Sequence, residues 1–513
     1  MPEQPQKNST ERHTYGEILK STLFVGGSSA VNIAISVVRT KAMAILLGPS
    51  GFGLTGLYGS IANLAQSVAG MGVNSSGVRQ IAEAIGSSDP ERIAKTTTVL
   101  RRTSTVLGLL GAISLVALSR PVSTLTFGST EHSAAVCLLS VAVFLQLVSA
   151  GQGALIQGMR RISDLAMMGV FSALFGTLIG VPLVYFLRED GVVPSLVAVA
   201  LMSLGVSWWY SRKIHVHTIS MTLSQMGREV AALLKLGSAF MASGLMIMGV
   251  AYVVRIIVLR ELGFEATGLY QSAWTLGGLY AGFILQAMGA DFYPRLTASA
   301  HDNASCNRLV NEQARVGLLL AGPGLLATLT FAPAVITVFY SAKFGAAVGV
   351  LRWICLGTTL QVISWPLGYI VVAKGRQGLF FSTELAWTLA SLGLAWSCVK
   401  SYGLNGAGIA FFASYVFYGL IIYLAVRRIS FFRWSSFNKR TGLFFFSLIL
   451  AVFFGHYILP VVWALCLGTV MTLVGGAYSV RVLTTLVSWD RMPSGMRRML
   501  DALRPVISGS TRV

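Results

Sequence analysis

Long apolar stretches recur along the whole length of this 513-residue chain. A helix needs about 20 mostly apolar residues to cross the hydrocarbon core of a bilayer, and a spanning segment must satisfy its own backbone hydrogen bonds. Only 11% of the residues are charged, whereas about 25% is usual for a soluble domain. The sequence therefore predicts an all-α integral membrane protein.

Fourteen of these stretches are long enough to be transmembrane helices, in two sets of six followed by two more. An even number of spans places both termini on the same side of the membrane. The predicted helices cover residues 18–47, 51–75, 97–118, 134–157, 164–187, 192–210, 236–262, 266–290, 313–338, 348–372, 378–399, 404–425, 441–459 and 461–487.

The basic residues are distributed unevenly between the two sides of the membrane. Of the 39 Lys and Arg, thirty lie in segments on the N-terminal side and six on the opposite side, while Arg39, Lys41 and Arg255 lie inside helices. Cytoplasmic segments of membrane proteins retain Lys and Arg. Both termini are therefore predicted to be cytoplasmic.

The first twelve helices contain an internal repeat. Val37-Val38-Arg39 recurs as Val253-Val254-Arg255, and Thr55-Gly56-Leu57-Tyr58 recurs as Thr267-Gly268-Leu269-Tyr270. Because each half holds six helices, both halves keep the same orientation in the membrane. The sequence thus predicts two six-helix bundles related by a parallel repeat, around a central cavity.

The duplication determines the predicted domain organisation. Apolar residues at helical spacing in the segment between the bundles indicate an amphipathic helix on the cytoplasmic membrane surface, and an ordinary packed connector explains them equally well. The predicted segments are a cytoplasmic N-terminal tail (1–16), the first bundle (17–212), the connector (213–235), the second bundle (236–428), a cytoplasmic loop (429–440), the appended helices 13 and 14 (441–487) and a cytoplasmic C-terminal tail (488–513).

Three basic residues inside the predicted helices form the first candidate site. Arg39 lies nine residues before Gly48 at the outer end of helix 1, roughly 13 Å along a helix that rises 1.5 Å per residue, and Arg255 occupies the repeated position in helix 7. Charges inside a membrane usually face a cavity or a partner, and guanidinium groups bind phosphate oxygens in a bidentate manner. Arg39, Lys41 and Arg255 are therefore predicted to bind a pyrophosphate; the alternative is that they snorkel to the interface.

Acidic and aromatic residues provide two further candidates. Glu384 is the carboxylate expected furthest inside a helix, where it could bind a coupling H+ or Na+, or could pair with a nearby base. Tyr58, Tyr270 and Trp274 could line a path for sugars, although aromatic residues at such positions more often serve packing.

The five cysteines are scattered and have no metal-ligand spacing with the histidines, so no metal and no cofactor is expected.

Three segments resemble a known family. They are Arg39-Thr40-Lys41 followed by Leu47-Gly48-Pro49 and Gly51-Phe52-Gly53-Leu54, then Ala287-Met288-Gly289-Ala290-Asp291-Phe292-Tyr293-Pro294-Arg295-Leu296, and Val372-Ala373-Lys374-Gly375-Arg376. Over about residues 17–428 the chain resembles bacterial O-antigen and polysaccharide translocases of the Wzx type. These belong to the multidrug/oligosaccharidyl-lipid/polysaccharide exporter superfamily.

The resemblance implies both a fold and a function. Members of this family have two six-helix bundles around a V-shaped central cavity and flip undecaprenyl-pyrophosphate-linked saccharide units by alternating access. The resemblance thus implies a lipid-linked oligosaccharide flippase in the bacterial cytoplasmic (inner) membrane. Its implied partners are the lipid-linked oligosaccharide, membrane lipids, a polysaccharide polymerase and a chain-length regulator, with no nucleic acid.

Three other functions stay open from the sequence. One is a non-transporting assembly partner of a polysaccharide machine, which the duplicated bundle gives no reason to prefer. A multidrug or cation extruder of the same superfamily needs carboxylates in its cavity, whereas the candidates in this chain are mostly basic. A membrane glycan polymerase or ligase needs acid, base or metal-binding residues, and the short outer loops carry no such constellation. The sequence therefore favours a transporter over an enzyme.

Overall fold

A computed structural model describes residues 5–87, 89–214 and 221–486, and within these residues the chain is helical and contains no β-strand. The helices are α1 (Pro5–Gly70), α2 (Val73–Gly86), α3 (Pro90–Ala117), α4 (Ser119–Phe127), α5 (Ser133–Gly158), α6 (Ile162–Leu187), α7 (Val192–Ser211), α8 (Leu223–Ala298), α9 (Asn303–Thr330), α10 (Ala332–Phe339), α11 (Ala347–Ala373), α12 (Gln377–Ser430), α13 (Ser436–Ile458) and α14 (Val461–Leu486). The predicted all-α membrane fold is confirmed.

Residues 1–4, 88, 215–220 and 487–513 of the predicted segments lie outside the described residues. The C-terminal tail at 488–513 lies outside the described residues, as does part of the connector at 213–235. At the other terminus, α1 begins at Pro5, inside the segment predicted as a tail.

Eight described helical segments are long and apolar enough to cross a membrane, or nine if the bent pair α9 and α10 counts as one span. Three of the eight are double. Val31–Gly70 and Gln377–Ser430 each contain a glycine break, and Ile162–Ser211 holds both α6 and α7. With the further break in α8, the described helices are compatible with the fourteen predicted spans.

The breaks in α1 and α8 are made by glycines at equivalent positions. Gly48 has φ 66 and ψ −173, and Gly263 has φ 85 and ψ −178. A residue with a Cβ adopts this backbone conformation only with strain. The two glycines lie 215 residues apart, so the turn between the first two helices of each half has the same backbone geometry.

Other irregular backbone positions repeat at the same spacing. Arg160 (φ 56) and Gly375 (φ 67) lie 215 residues apart. So do Arg188, with φ 54 and ψ −129, and Gly403, with φ 57 and ψ −139. The duplication found in the sequence therefore extends to the turns between the helices.

By its internal contacts the chain forms two compact units. The first comprises Met1–Gly268 with Phe339–Ser341, and the second comprises Leu269–Val338 with Ala342–Val513. The first segment of α8 thus belongs to the first unit. The predicted bundle boundaries stay a prediction.

In the first unit, α5 packs against α1, α3 and α7 around an apolar core. Small residues allow the close contacts between the helices. A Cβ at Gly77 would collide with the side chain of Leu100, and one at Gly158 would collide with Ile81. Glycine at such contacts is expected, because helix association in lipid depends on close approach of the backbones.

In the second unit, α9 contacts α11 as well as the appended helices α13 and α14. The ring of Phe445 on α13 fits against Gly322 of α9 and Gly475 of α14. The side-chain amide of Asn438 donates a hydrogen bond to the carbonyl of Asn311 at 2.8 Å. The appended helices are therefore packed into the second unit.

Gly48 is expected to be required for its backbone conformation and not for lack of space. Gly48→Ala should destabilise the protein by about 1–3 kcal/mol because alanine would be strained at this φ, although no neighbouring atom lies within 4 Å of where its Cβ would be. Gly59→Ala, in the helical part of α1 and equally free of neighbours, should be neutral or stabilise by up to about 1 kcal/mol. Thermal unfolding in detergent measures both, and an equal Tm for the two variants would contradict the assignment.

Candidate functional site

The first unit contains a cavity of about 350 Å³ between α1, α2, α3, α5 and α8. This volume is at the lower end of the roughly 300–1,000 Å³ that small-molecule sites occupy. None of the described residues that line it is charged. The polar residues of the lining are Asn63, Gln66, Ser67, Asn74, Ser75 and Ser104, and the larger apolar ones are Leu107, Leu147, Met241 and Met248.

Helical spacing places the polar residues of α1 in the cavity. Counted from Asn63, the next lining residues of α1 follow after three, four and seven positions, at Gln66, Ser67 and Gly70. This spacing puts all four on one face of the helix. The helix ends at Gly70, and Gly72 then turns the chain with φ 68. The turn brings the amide and hydroxyl groups at the start of α2 to the same cavity.

Glycines bring the surrounding helices close enough to form the walls. A Cβ at Gly72 would collide with the carbonyl of Gly237, and one at Gly151 would collide with the side chain of Ser104. The α1–α2 turn therefore contacts the beginning of α8 directly, and α5 contacts α3 directly. The cavity depends on both contacts.

The lining suits a neutral, hydroxyl-rich ligand. Amide groups donate and accept hydrogen bonds, as serine hydroxyls do, and sugar hydroxyls need both. Among the described residues, no hydrogen-bond partner is found for the side-chain amides of Asn63, Gln66 and Asn74 within the protein. A cation would find no carboxylate among the lining residues that the structure describes.

The basic residues predicted to bind pyrophosphate lie in the first unit. Arg39 and Lys41 are half-buried on α1. Arg255 on α8 is buried, with only 7% of its surface exposed, and its Nη1 donates a hydrogen bond to the carbonyl of Ala251 at 2.7 Å. Because Arg255 is enclosed by protein, it does not extend to the membrane interface as the snorkelling alternative requires.

Tyr58 is the buried member of an aromatic cluster whose other rings are partly exposed. Its hydroxyl is hydrogen-bonded to Nδ1 of His132 at 2.9 Å, and the imidazole ring stacks 4.0 Å from the ring of Phe127. Phe264 of α8 completes the cluster. Only 3% of the surface of Tyr58 is exposed, so in this conformation it serves packing.

The same end of the first unit holds two polar contacts between α4 and α8. The guanidinium of Arg260 donates to the carbonyls of Thr124 and Leu125 in the last turn of α4, where carbonyls lack partners within the helix. The hydroxyls of Thr126 and Tyr252 are also hydrogen-bonded. The first segment of α8 is thereby attached to α4.

The other two aromatic candidates lie in the second unit. Tyr270 is buried and its ring lies 6.0 Å from that of Trp274. Trp274 packs edge-to-face against Phe411 at 5.3 Å. Tyr270 thus fits the packing alternative, whereas half-buried Trp274 retains an accessible surface.

Glu384 lies among aromatic residues of α12. The Tyr418 hydroxyl donates a hydrogen bond to its Oε1 at 3.2 Å, and Trp387 and Tyr415 pack beside Tyr418. Among the described residues, Glu384 forms no ion pair with a base such as Arg376. Its carboxylate is therefore held by a phenol.

Comparison with known proteins identifies the family. The model of a family described as polysaccharide biosynthesis protein matches residues 42–349. The chain belongs to this family. The predicted resemblance to polysaccharide translocases is thereby confirmed.

Relatives and solved structures agree with this assignment. The Lipid III flippases of Escherichia coli (strain K12) and of Shigella flexneri are each 23% identical over 410 residues, which cover 78% of this chain and 96% of theirs. A structure of the Lipid II flippase MurJ in an inward closed conformation matches with a TM-score of 0.68 at 14% identity and covers 90% of this chain and 99% of that one. An inward-facing multidrug resistance MATE family transporter of the MOP superfamily matches with a TM-score of 0.62 at 17% identity, over 80% and 99%.

The structural matches show that this family shares its fold with flippases and drug transporters. The relatives are transporters and not enzymes, as predicted for this chain. None of the cavity residues was predicted from the sequence. The available signal was the helical spacing of Asn63, Gln66 and Ser67 in an apolar helix, but contributions from α3, α5 and α8 appear only when the helices pack.

Acidic pH is expected to destabilise the protein through His132. Burial lowers the pKa of His132, and the carboxylate of Glu131 partly offsets this. The unfolded chain therefore takes up a proton more readily than the folded one, and stability is lost as the pH falls through about 6.5, the ordinary histidine value. His132→Gln should reduce the fall in Tm between neutral and mildly acidic pH, whereas His301→Gln, at an exposed position, should leave it unchanged. An undiminished fall in His132→Gln would contradict the role of this histidine.

Proposed function

We propose that this protein is a lipid-linked oligosaccharide flippase. It moves an undecaprenyl-pyrophosphate-linked glycan, an O-antigen or exopolysaccharide repeat unit, from the cytoplasmic to the outer leaflet of the bacterial inner membrane by alternating access. The observation that carries this proposal is the uncharged cavity of amide and hydroxyl groups in the first unit. Membership of the polysaccharide biosynthesis family and the relatives named Lipid III flippase support it.

The substrate has two polar parts that need different binding groups. Its pyrophosphate is assigned to Arg39, Lys41 and Arg255, because guanidinium groups pair with phosphate oxygens. Arg255 is buried in this conformation, so the proposal requires that it meets the pyrophosphate in another state of the transport cycle, at a site that screens charges less than water does. Its glycan is assigned to the amides and hydroxyls of the cavity, with Trp274 as a further surface for sugar rings.

Coupling to H+ or Na+ is assigned to Glu384. It is a carboxylate inside a long apolar helix, and such groups are rare and usually functional in membranes. Its hydrogen bond with the Tyr418 hydroxyl orients it while leaving the second oxygen for an ion. The proposal also places both termini in the cytoplasm. It further includes docking to a polysaccharide polymerase and a chain-length regulator.

The main competing function is export of drugs or cations, since MATE transporters share the fold. The described part of the cavity lining argues against it, because a cationic substrate would find no carboxylate there to pair with. A glycan polymerase or ligase is disfavoured because the relatives of this chain are transporters.

The direct test is removal of the protein from its native host. A flippase leaves complete, unpolymerised lipid-linked units on the cytoplasmic leaflet when it is absent. Normal arrival of these units at the outer leaflet would exclude the proposed function and favour drug export instead.

Removal of the buried guanidinium should block transport. Arg255→Ala is expected to lower transport about tenfold to a hundredfold, because hydrogen bonds to charged groups contribute about 1.5–3 kcal/mol, and Arg39→Ala should act in the same direction. Arg120→Ala, at an exposed position of α4, is the matched control. Transport is compared at equal amounts of membrane-inserted protein, for variants that are also monodisperse after extraction in detergent. Full activity of both Arg39→Ala and Arg255→Ala would exclude the proposed role of these residues in pyrophosphate binding.

Loss of an amide from the cavity should have a smaller effect. Gln66→Leu is expected to lower transport about two- to tenfold, since one net hydrogen bond contributes about 0.5–1.5 kcal/mol. Gln157→Leu makes the same change at an exposed position of α5 outside the cavity. Indistinguishable rates for the two variants would exclude Gln66 from glycan binding.

A further inference from the structure

A second pocket of the first unit, of about 320 Å³, combines arginines with tryptophan. It lies between α3, α5 and α7 and is separate from the pyrophosphate residues. Its main lining residues are Arg101, Thr105, Gln152, Trp208, Ser211 and Arg212, and no carboxylate is among them.

Arg101 reaches this pocket from the middle of α3. Its side chain is half-buried, and its Nη2 donates to the carbonyl of Ser211 at 3.4 Å. This hydrogen bond directs the guanidinium toward the end of α7. A guanidinium has five N–H donors, so most of them stay available to a ligand in the pocket.

Arg212 is held on the opposite wall by two indole rings. Its guanidinium carbon lies 5.0 Å from the ring centre of Trp208 and 4.5 Å from that of Trp209, within the range of cation–π contacts. Both tryptophans are about half exposed, at 53% and 51%. These contacts hold the guanidinium beside the indole rings and leave its N–H groups to form hydrogen bonds.

The helices around the pocket present apolar surfaces to the outside. The exposed face of α3 carries Val106, Leu109, Leu110 and Ile113, each more than half exposed, and a protein in water would not expose such a stripe. This face therefore contacts lipid chains. Tryptophan is enriched where lipid chains meet head groups, so the pocket opens at that boundary.

Nearby charges make the surroundings positive. Asp164 is paired with Arg161 at 2.6 Å, and Arg161 also donates to the carbonyl of Lys213. Two consecutive basic residues, Arg212 and Lys213, directly follow α7. An anion in the pocket would meet the two guanidinium groups, whereas the Thr105 and Ser211 hydroxyls already donate to the carbonyls of Arg101 and Trp208.

We propose that this pocket binds the phosphate head group of an anionic phospholipid, with Arg101 and Arg212 on the phosphate and the acyl chains along α3. Basic pockets between membrane helices are suited to such head groups. A soluble phosphate compound shares the head-group chemistry, but the apolar face of α3 favours a ligand with acyl chains.

The test uses the full-length protein purified in neutral detergent. Phosphatidylglycerol is expected to raise the Tm of the wild type, and native mass spectrometry should detect the bound lipid, while phosphatidylcholine should do neither. In the Arg101→Gln/Arg212→Gln variant, phosphatidylglycerol should bind about tenfold or more weakly, since charge-assisted hydrogen bonds are lost. Arg102→Gln removes an adjacent exposed arginine outside the pocket and should bind as the wild type does.

Three results would overturn the proposal. The first is that the double variant binds phosphatidylglycerol as tightly as the Arg102→Gln control does. The second is that phosphatidylcholine raises the Tm as much as phosphatidylglycerol does. The third is that inorganic phosphate raises the Tm as much as phosphatidylglycerol does, which would identify a soluble ligand. Because Arg101 also contacts Ser211, the Tm without lipid is measured first. If the double variant is unstable, Arg212→Gln replaces it with the same expectation. None of these measurements depends on transport, so they stand apart from the proposed flippase function.

Discussion

The absence of water in the bilayer core is the constraint on which the rest of this structure depends. Every backbone group must find a hydrogen bond within the chain, so the described residues are almost entirely helical. Direction changes between helices are concentrated at a few sharp turns, such as those at Gly48 and Gly263. Apolar side chains then cover the surface that contacts lipid, and each cluster of polar side chains becomes a candidate site.

In the first unit, Arg255 and the polar cavity beside α1 are separate environments. Arg255 is enclosed within the helices, whereas the cavity beside α1 holds amides and hydroxyls with no charge in its lining. A ligand that carries both a phosphate and a sugar needs both kinds of group. A cationic drug would need a carboxylate instead. The separation of the two environments is therefore what favours a lipid-linked glycan as substrate.

Sequence reasoning was most successful where one residue or one repeat decided the outcome. The spans follow from apolar length, and the repeat that pairs Arg39 with Arg255 reappears in the backbone as matching turns 215 residues apart. Individual side-chain roles were harder to predict. Tyr58 was a candidate for a sugar path, but its hydroxyl is bonded to His132, 74 residues away. Such partners depend on how distant helices pack.

The sequence by itself determined that this chain is a helical membrane protein with a duplicated core, because bilayer thickness and internal hydrogen bonding act on each segment separately. It also singled out Arg255, because a charge in an apolar helix is conspicuous. Only the tertiary structure decided which neutral residues meet around a cavity and which arginines face a pocket with tryptophan. The physical reason is that amides and hydroxyls are unremarkable within a single helix. They become a binding surface only when close packing at residues such as Gly72 and Gly151 brings five helices together.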